Sequence, residues 1–568
     1  MTGLLGNEWM KFRKQTGYRV LLIVFAVAVL LVMPISKLLS ELLGGLVGAH
    51  DTMEEQRAAY EKIAETYRES GNTEEAEYYF GLADACKFFA DNKIEADSWR
   101  YQLHAEEYMS LCEAARLCGA VVNGMIPAQR LAGRTYLSNG ITYDLVPKEA
   151  IDENGQVTDA FDASRKKQEL TALISKAEQS ILNADAMAQV REKVELYGMR
   201  VEAAKQNVNE LSRQAEEKPD DLSLAYNLEV AKQSLAAEEQ LLLAYRWLVN
   251  WGDGCDSWQY RTVTEVLTPA VSFYSAKVVM PEEVYRERDS GGGSYATYLR
   301  STEETAKAVD GAVSTVWYSL INDIPLSGTD GNASVRASLL SGFDMVCGWI
   351  SLFLVVVAVL TVSSEYTSGT IRLLLIRPKK RSKIILSKYF CVALIAAGMV
   401  FASLILLTVM AAILNGAGDL FLPKLFGYGD KVTEMNGVLY LFVYTLLKLI
   451  GVLLSASFAF LLATLIRKSA LPIILSFLGS SIASGIQSFT RFLQYSYSFH
   501  VLDFTILTNF DPASRLVTAT DIVTSYDFSN YLCNRSVCLP ASVAVTVLHV
   551  AILVLLAVVT FSKREVRS

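Results

Sequence analysis

Two regimes of hydrophobic patterning divide the chain. From 20 to 43 and from 341 to 562, Leu, Val, Ile, Ala and Phe run almost without interruption, whereas 50 to 340 is charged and polar. Apolar stretches of ~18 residues or more are long enough to cross a bilayer as helices. The pattern predicts six spans, at about Val20–Ser36, Gly342–Ser363, Ile384–Leu414, Val438–Ile466, Ala470–Ile486 and Ala541–Phe561. Several exceed the bilayer thickness, so tilt, kinks or interfacial ends are expected. The expected fold class is an all-α membrane protein. Its six transmembrane helices carry a large, mostly helical extracytoplasmic domain between the first and second.

Helical periodicity dominates the polar region. From Ala163 to Glu217 there is no proline, and Val194, Val201 and Val208 recur every seven residues with Ala204 and Leu211 on the same seam. Lys218-Pro219-Asp220-Asp221 breaks the pattern, and Leu228, Ala231, Leu235 and Leu242 line one face of a second helix. Two such helices joined by a short break predict a long antiparallel hairpin of coiled-coil character. The first would reach ~80 Å at ~1.5 Å per residue, unless Asn183-Ala184-Asp185 or Gly198 bends it. A helical bundle folded on itself is the competing arrangement. Residues 57 to 84 carry Tyr60, Ile63, Ala64, Tyr67, Gly71, Ala76, Phe80 and Ala83 at tetratricopeptide spacing. One repeat cannot bury a solenoid core, so an ordinary helical hairpin with a turn at Gly71-Asn72 is expected. Ser290-Gly291-Gly292-Gly293-Ser294 reads as a flexible linker.

Charge orients this arrangement. The net charge is −8, but basic residues collect at Lys11–Arg19, at Arg372–Lys383, at Arg467-Lys468 and in the tail from Lys563. Loops rich in Lys and Arg stay on the cytoplasmic side. Six spans with both termini cytoplasmic satisfy every basic loop. The expected organisation is a cytoplasmic N-terminus (1–19), a first transmembrane helix (20–43), an extracytoplasmic helical domain (44–340) and a five-helix transmembrane region (341–568). That last region contains a cytoplasmic loop at 364–383 and an external loop at 487–540, all in the cytoplasmic membrane. A signal peptide is disfavoured, because the small residues Val47-Gly48-Ala49 stand too far beyond the apolar run. The 487–540 segment is rich in aromatics, among them Phe489, Phe492, Tyr495, Tyr497, Phe499, Phe504 and Phe510. Such rings favour the membrane interface, which predicts re-entrant or surface-lying helices, or a loop packed on the external domain.

The most informative stretch follows the second expected span: Ser364-Glu365-Tyr366-Thr367-Ser368-Gly369-Thr370-Ile371-Arg372-Leu373-Leu374-Leu375-Ile376-Arg377-Pro378, then Arg381 and Lys388. Three leucines flanked by basic residues can form a short amphipathic helix at a membrane surface or in a partner's groove. The stretch resembles the ABC-2 type permease family, the membrane subunits of many bacterial ABC exporters. That family places a glutamate at the cytoplasmic end of the second span, then a Gly-Thr pair, an apolar patch, Pro-x-x-Arg and a lysine opening the third span. Asn7-Glu8-Trp9-Met10-Lys11 and Phe561-Ser562-Lys563-Arg564-Glu565 also resemble it. The resemblance implies that Glu365, Gly369, Thr370, Arg372 and Arg377 couple the chain to a separate ATPase subunit. It further implies a homodimer or a heterodimer with a second permease. A positive-inside anchor is a further role for Arg377–Lys383.

Other chemistry is sparse. No Walker A sequence occurs, so ATP and Mg would be held by the partner and no cofactor by this chain. His50, His104, His500 and His549 form no metal or triad pattern, no Cys-x-x-Cys suggests zinc, and no basic external patch suggests nucleic acid. The eight cysteines are scattered, and a disulfide or free thiols remain open for Cys112 and Cys118. Lys448 lies inside the fourth apolar run, between Leu446-Leu447 and Leu449-Ile450. Intramembrane charges are functional candidates, although Lys448 has room to snorkel outward or face a subunit interface. Asp344 is a weaker candidate of the same kind. Three functions are compatible with this reading. They are an ABC exporter permease without enzymatic activity of its own, a non-transporting ABC membrane subunit that passes force to an envelope partner, and a passive receptor or scaffold. An acidic outer domain favours cationic ligands.

Overall fold

The computed structural model describes 25–32, 34–35, 52–96, 98–138, 141–152, 155–158, 160–288, 294–326, 335–367, 380–416, 418–466, 469–497, 500–516, 518 and 538–563, with Gly6, Met10 and Ile23 besides. The chain divides into two compact units. One comprises Met1–Ile35, Val194–Tyr245 and Arg261–Ser568, and the other Ser36–Lys193 and Arg246–Tyr260.

The second of these units is built on helices α1 (Met53–Glu69), α2 (Thr73–Asp91), α3 (Trp99–Val122) and α4 (Ala163–Leu182). A hairpin of β1 (Thr135–Ser138) and β2 (Ile141–Asp144) lies between α3 and α4. Thr52 caps α1 by accepting from the Glu55 N–H at 3.2 Å, and Asn72 caps α2 through Glu75. Such caps satisfy the orphan donors of a first turn. The turn between them places Gly71 at φ +82, a conformation that L side chains resist. This is the helical hairpin that the Gly-Asn pair predicts. Its cores gather Leu111, Leu117, Leu131, Leu145 and Leu170 in one place and Phe89, Tyr108 and Ile181 in another.

The predicted 163–217 helix is two helices. After α4, residues 183–185 leave the helix, and α5 (Ala186–Glu217) begins with Asp185 accepting from the Met187 N–H at 3.0 Å. The Asn-Ala-Asp turn thus sets the break, because a short polar side chain competes for the backbone N–H groups. Helix α6 (Leu222–Trp251) follows the Lys218–Asp221 turn, where Asp221 caps Leu224. Antiparallel pairing of α5 with α6 is visible in the first unit. Tyr197 stacks on Tyr245 at 5.2 Å, and Lys205 pairs with Glu239 at 3.7 Å. Val201, Ala231 and Leu242 of the predicted seams are buried.

Three short helices, α7 (Trp258–Thr262), α8 (Thr268–Ser272) and α9 (Glu282–Arg288), lead to α10 (Tyr295–Asn322). The Gly-rich linker at 289–293 lies outside the described residues. Among the described residues, four helices are long and apolar enough to cross a membrane: α11 (Val335–Thr367), α12 (Arg381–Asn415), α13 (Gly437–Leu465) and α15 (Leu539–Lys563). The protein is therefore a mostly helical membrane protein. Helix α11 begins at Val335, sooner than the expected Gly342. The fifth expected span, Ala470–Ile486, falls on the first part of a longer helix, α14 (Ala470–Tyr497). Of the first expected span, the described residues at 25–32 and 34–35 are helical. Phe25 meets Phe353, and Val29 and Val32 join the core of the apolar helices. Of the external loop expected at 487–540, 487–497 is the end of α14, and 498–499, 517 and 519–537 lie outside the described residues.

An element not foreseen from the pattern connects α12 to α13. Strands β3 (Lys424–Tyr428) and β4 (Lys431–Met435) form an antiparallel hairpin. It packs on α10 so closely that a Cβ at Gly427 would lie 2.0 Å from the Gly311 carbonyl oxygen. Only two facing glycines permit this backbone approach. The Gly429 N–H donates to the Lys307 carbonyl at 2.9 Å, and the Tyr318 hydroxyl donates to Glu434 at 3.2 Å. Arg336, at the start of α11, is buried and donates to the carbonyls of Asp419 and Leu422, the latter at 2.8 Å. The hairpin and its approach are thus held from both sides by α10 and α11.

Candidate functional site

The chemistry of the apolar helices concentrates where one lysine is buried. Helix α13 carries an almost unbroken apolar sequence and is capped by Asn436, which accepts from the Val438 N–H at 2.9 Å. Lys448 stands one turn beyond Tyr444 on this helix, and its side chain is 12% exposed. Its ammonium lies 3.0 Å from Asp344 Oδ1 on α11 and 2.7 Å from Asp511 Oδ2. The Tyr444 hydroxyl donates to Asp344 at 2.7 Å, and Lys448 also sits 5.4 Å from the Tyr444 ring centroid. A lone charge in an apolar bundle is costly unless it is paired, so these contacts explain how Lys448 is accommodated.

Asp511 arrives from an irregular segment, 500–516, which enters the bundle beside α13 and α15. Asp511 begins a short 3-10 turn at Pro512–Arg515, accepting from the Ala513 N–H at 3.2 Å. The buried Arg515 donates to the Thr508 carbonyl at 2.7 Å, and Thr546 on α15 donates to the Asn509 carbonyl at 2.8 Å. The Phe510 carbonyl faces Gly451, where an added Cβ would lie 3.2 Å away. Protein donors on this segment and on α15 thus satisfy carbonyls of its non-helical backbone. The cluster therefore ties α11, α13 and the 500–516 segment together, and one lysine faces two carboxylates. With Asp344 and Asp511 ionised, the three groups sum to one negative charge.

The predicted site residues fare differently. Lys448 is neither snorkelled outward nor left without a partner; it points at Asp344, which the sequence ranked low, and at Asp511, which it did not single out. The signal for Asp511 was an isolated acid before proline in an aromatic-rich stretch. Of the proposed coupling residues, Glu365 falls on the last turn of α11. Gly369, Thr370, Arg372 and Arg377 lie in 368–379, outside the described residues. The base of that loop is described: buried Lys388 on α12 donates to the Thr361 carbonyl of α11 at 3.0 Å. Tyr389 and Ser457 share a hydrogen bond of 2.8 Å that joins α12 to α13. His549 bonds to the Val545 carbonyl within its own helix at 2.8 Å, a packing role. Among the described residues no group of His, Cys, Asp and Glu is arranged to hold a metal ion. Cys86, Cys112, Cys118, Cys255, Cys347 and Cys391 are buried free thiols, and Cys538 is exposed.

Comparison with known proteins places the likeness on the same part of the chain. Residues 322–567 match a family described as "Protein of unknown function (DUF2705)". The matched range contains the basic loop, the four apolar helices and the Lys448 cluster, and excludes the polar region before it. An "Uncharacterized protein YhcI" of Bacillus subtilis (strain 168) is 32% identical over 124 residues, which is 22% of this chain. The chain spans 40% of that relative's length.

Proposed function

We propose that this chain is the membrane-spanning permease subunit of an ABC exporter, coupling ATP hydrolysis by a separate ATPase subunit to export across the cytoplasmic membrane. The observation that carries the reading is the Ser364–Pro378 motif, which falls at the end of one apolar helix and before the next. In that position, Glu365, Gly369, Thr370, Arg372 and Arg377 form a loop that docks on the ATPase, and nucleotide-driven closure shifts the helices between two arrangements. The paired helix ends at Thr361 and Lys388 give the loop a firm base. In this reading the polar region is extracytoplasmic, both termini are cytoplasmic, and two permeases assemble with two ATPase domains.

The test is a gentle tag pull-down from native membranes, comparing wild type with Glu365→Ala combined with Arg372→Glu. Co-purification of an ATPase with wild type and its loss from the variant support the reading. An abundant, folded protein that brings no ATPase in either form sinks it. A force-transmitting subunit is the second reading, favoured by the close seating of the β3–β4 hairpin on α10, which links polar and apolar parts of one unit. Substrate-independent ATP use together with a captured envelope protein separates it from export.

A further inference from the structure

At the joint between α6, α10 and the β3–β4 hairpin lies a cavity of ≈ 660 Å³. That volume is within the usual range of small-molecule sites. Three aromatic rings line it, Tyr274, Trp317 and Tyr318, together with two carboxylates, Asp310 and Asp430. No Lys, Arg or His is among its described lining residues. Two of the rings are fixed in place. The Trp317 indole N–H donates to Gln240 at 3.0 Å, and the Tyr318 hydroxyl is committed to Glu434.

The protein itself displays the recognition chemistry of this wall. The Lys277 ammonium sits 4.4 Å from the centroid of the Tyr274 ring and pairs with Asp310. Aromatic faces attract cations, and a neighbouring carboxylate strengthens the attraction. Asp310 is thus answered by a cation from within. Asp430, exposed at the hairpin turn, has no hydrogen bond or ion pair among the described residues. At the rim, Ile321 and Leu243 are 68% and 54% exposed, offering apolar surface beside the acid.

We propose that this cavity binds an organic cation carrying an apolar group, its ammonium held by Asp430 and the Trp317 and Tyr318 rings, its apolar part on Leu243 and Ile321. The inference stands on the cavity alone and does not require the exporter reading. A pull-down failure leaves it intact, and its own failure leaves the ATPase question intact.

The experiment uses the full-length protein in lipid nanodiscs. Binding of 2-phenylethylammonium is compared with that of 2-phenylethanol, a neutral molecule of nearly the same shape, by saturation-transfer NMR titration. The cation should bind about tenfold more tightly than the alcohol, the scale of a partly desolvated cation–π and carboxylate contact. Asp430→Asn should remove most of that preference while leaving the alcohol unchanged. Trp317→Leu should weaken the cation, with circular dichroism reporting the fold of each variant. Equal binding of cation and alcohol, no binding of the cation, or a full preference retained in folded Asp430→Asn would each overturn the proposal.

Discussion

Lys448 on α13 places its ammonium 2.7 Å from a carboxylate oxygen of Asp511, a residue of the irregular segment between α14 and α15. The same ammonium lies 3.0 Å from Asp344. One lysine thus holds a membrane helix, its neighbour and a non-helical segment in one arrangement. Substituting Lys448→Met leaves two carboxylates facing apolar surroundings. The expected cost is about 2 kcal/mol, below the 3–5 of a fully buried pair because both acids are partly exposed. Adding Asp344→Asn and Asp511→Asn should recover most of the loss, since the uncompensated charges are then gone. Thermal unfolding in nanodiscs reads this out, and a triple variant no more stable than the single would contradict the pairing.

The contact between Gly311 and Gly427 makes a second prediction. A methyl group at Gly427 meets the Gly311 carbonyl oxygen at 2.0 Å and the Thr315 hydroxyl at 2.2 Å, so the hairpin must lift from α10. Gly427→Ala should destabilise the protein by roughly 3 kcal/mol, the upper part of the range for overpacking. It should also open the 418–436 connection to limited proteolysis. Gly429→Ala strains the backbone instead, at φ +56, but meets nothing within 4 Å. Equal protease resistance of Gly427→Ala and wild type would show that the two backbones do not meet.

Burial raises the Glu113 carboxyl from its ordinary value to about 7, opposed by the nearby Arg134 and reinforced by Glu75. The folded state therefore holds this proton over a range in which the unfolded chain has released it. Stability from Glu113 is full below about 4.5 and is lost as pH rises through about 7. Discounted for partial exposure, the loss is about 1 kcal/mol. Glu113→Gln should flatten the melting temperature between those pH values. A profile that keeps its wild-type slope in this variant would place the titration elsewhere.

The thiols supply a fourth prediction. Burial pushes Cys86 and Cys118 up to about 11 and Cys112 up to about 12. The thiolate is the reactive species, and these three are also inaccessible. Cys538 is exposed. Maleimide at pH 7 should therefore modify Cys538 well ahead of those three, as read by peptide mass spectrometry on the native protein. Rapid labelling of Cys112 or Cys118 would mean that α3 does not stay packed.

Particular residues mark what is legible in the sequence alone. The Gly71-Asn72 turn, the Pro219 break and the apolar runs of four membrane helices are local signals. Each depends on backbone conformation, capping or transfer of adjacent residues out of water, and all of these are written in contiguous sequence. The Asn183–Asp185 break was present in the same local code, as one of two named bends. The Ser364–Pro378 stretch is legible only as a resemblance.

Tertiary structure alone decided the rest. Nothing in the run around Lys448 specifies Asp511, because the two are brought together by packing of separate helices and not by any spacing between them. The β3–β4 hairpin hid in a loop because its stability comes from the Gly311–Gly427 approach and the Arg336 clamp, contacts with distant helices. The cavity beside Trp317 is likewise assembled from four separate elements, α6, the turn at Tyr274, α10 and the hairpin. Sequence by itself determined which segments are apolar enough for a membrane and where the helical hairpins turn. Pairing of buried charges, and the joint between polar and apolar parts of the first unit, follow from long-range burial. There the cost of an unpaired charge or an ill-fitting methyl group selects one arrangement among many that local propensity allows.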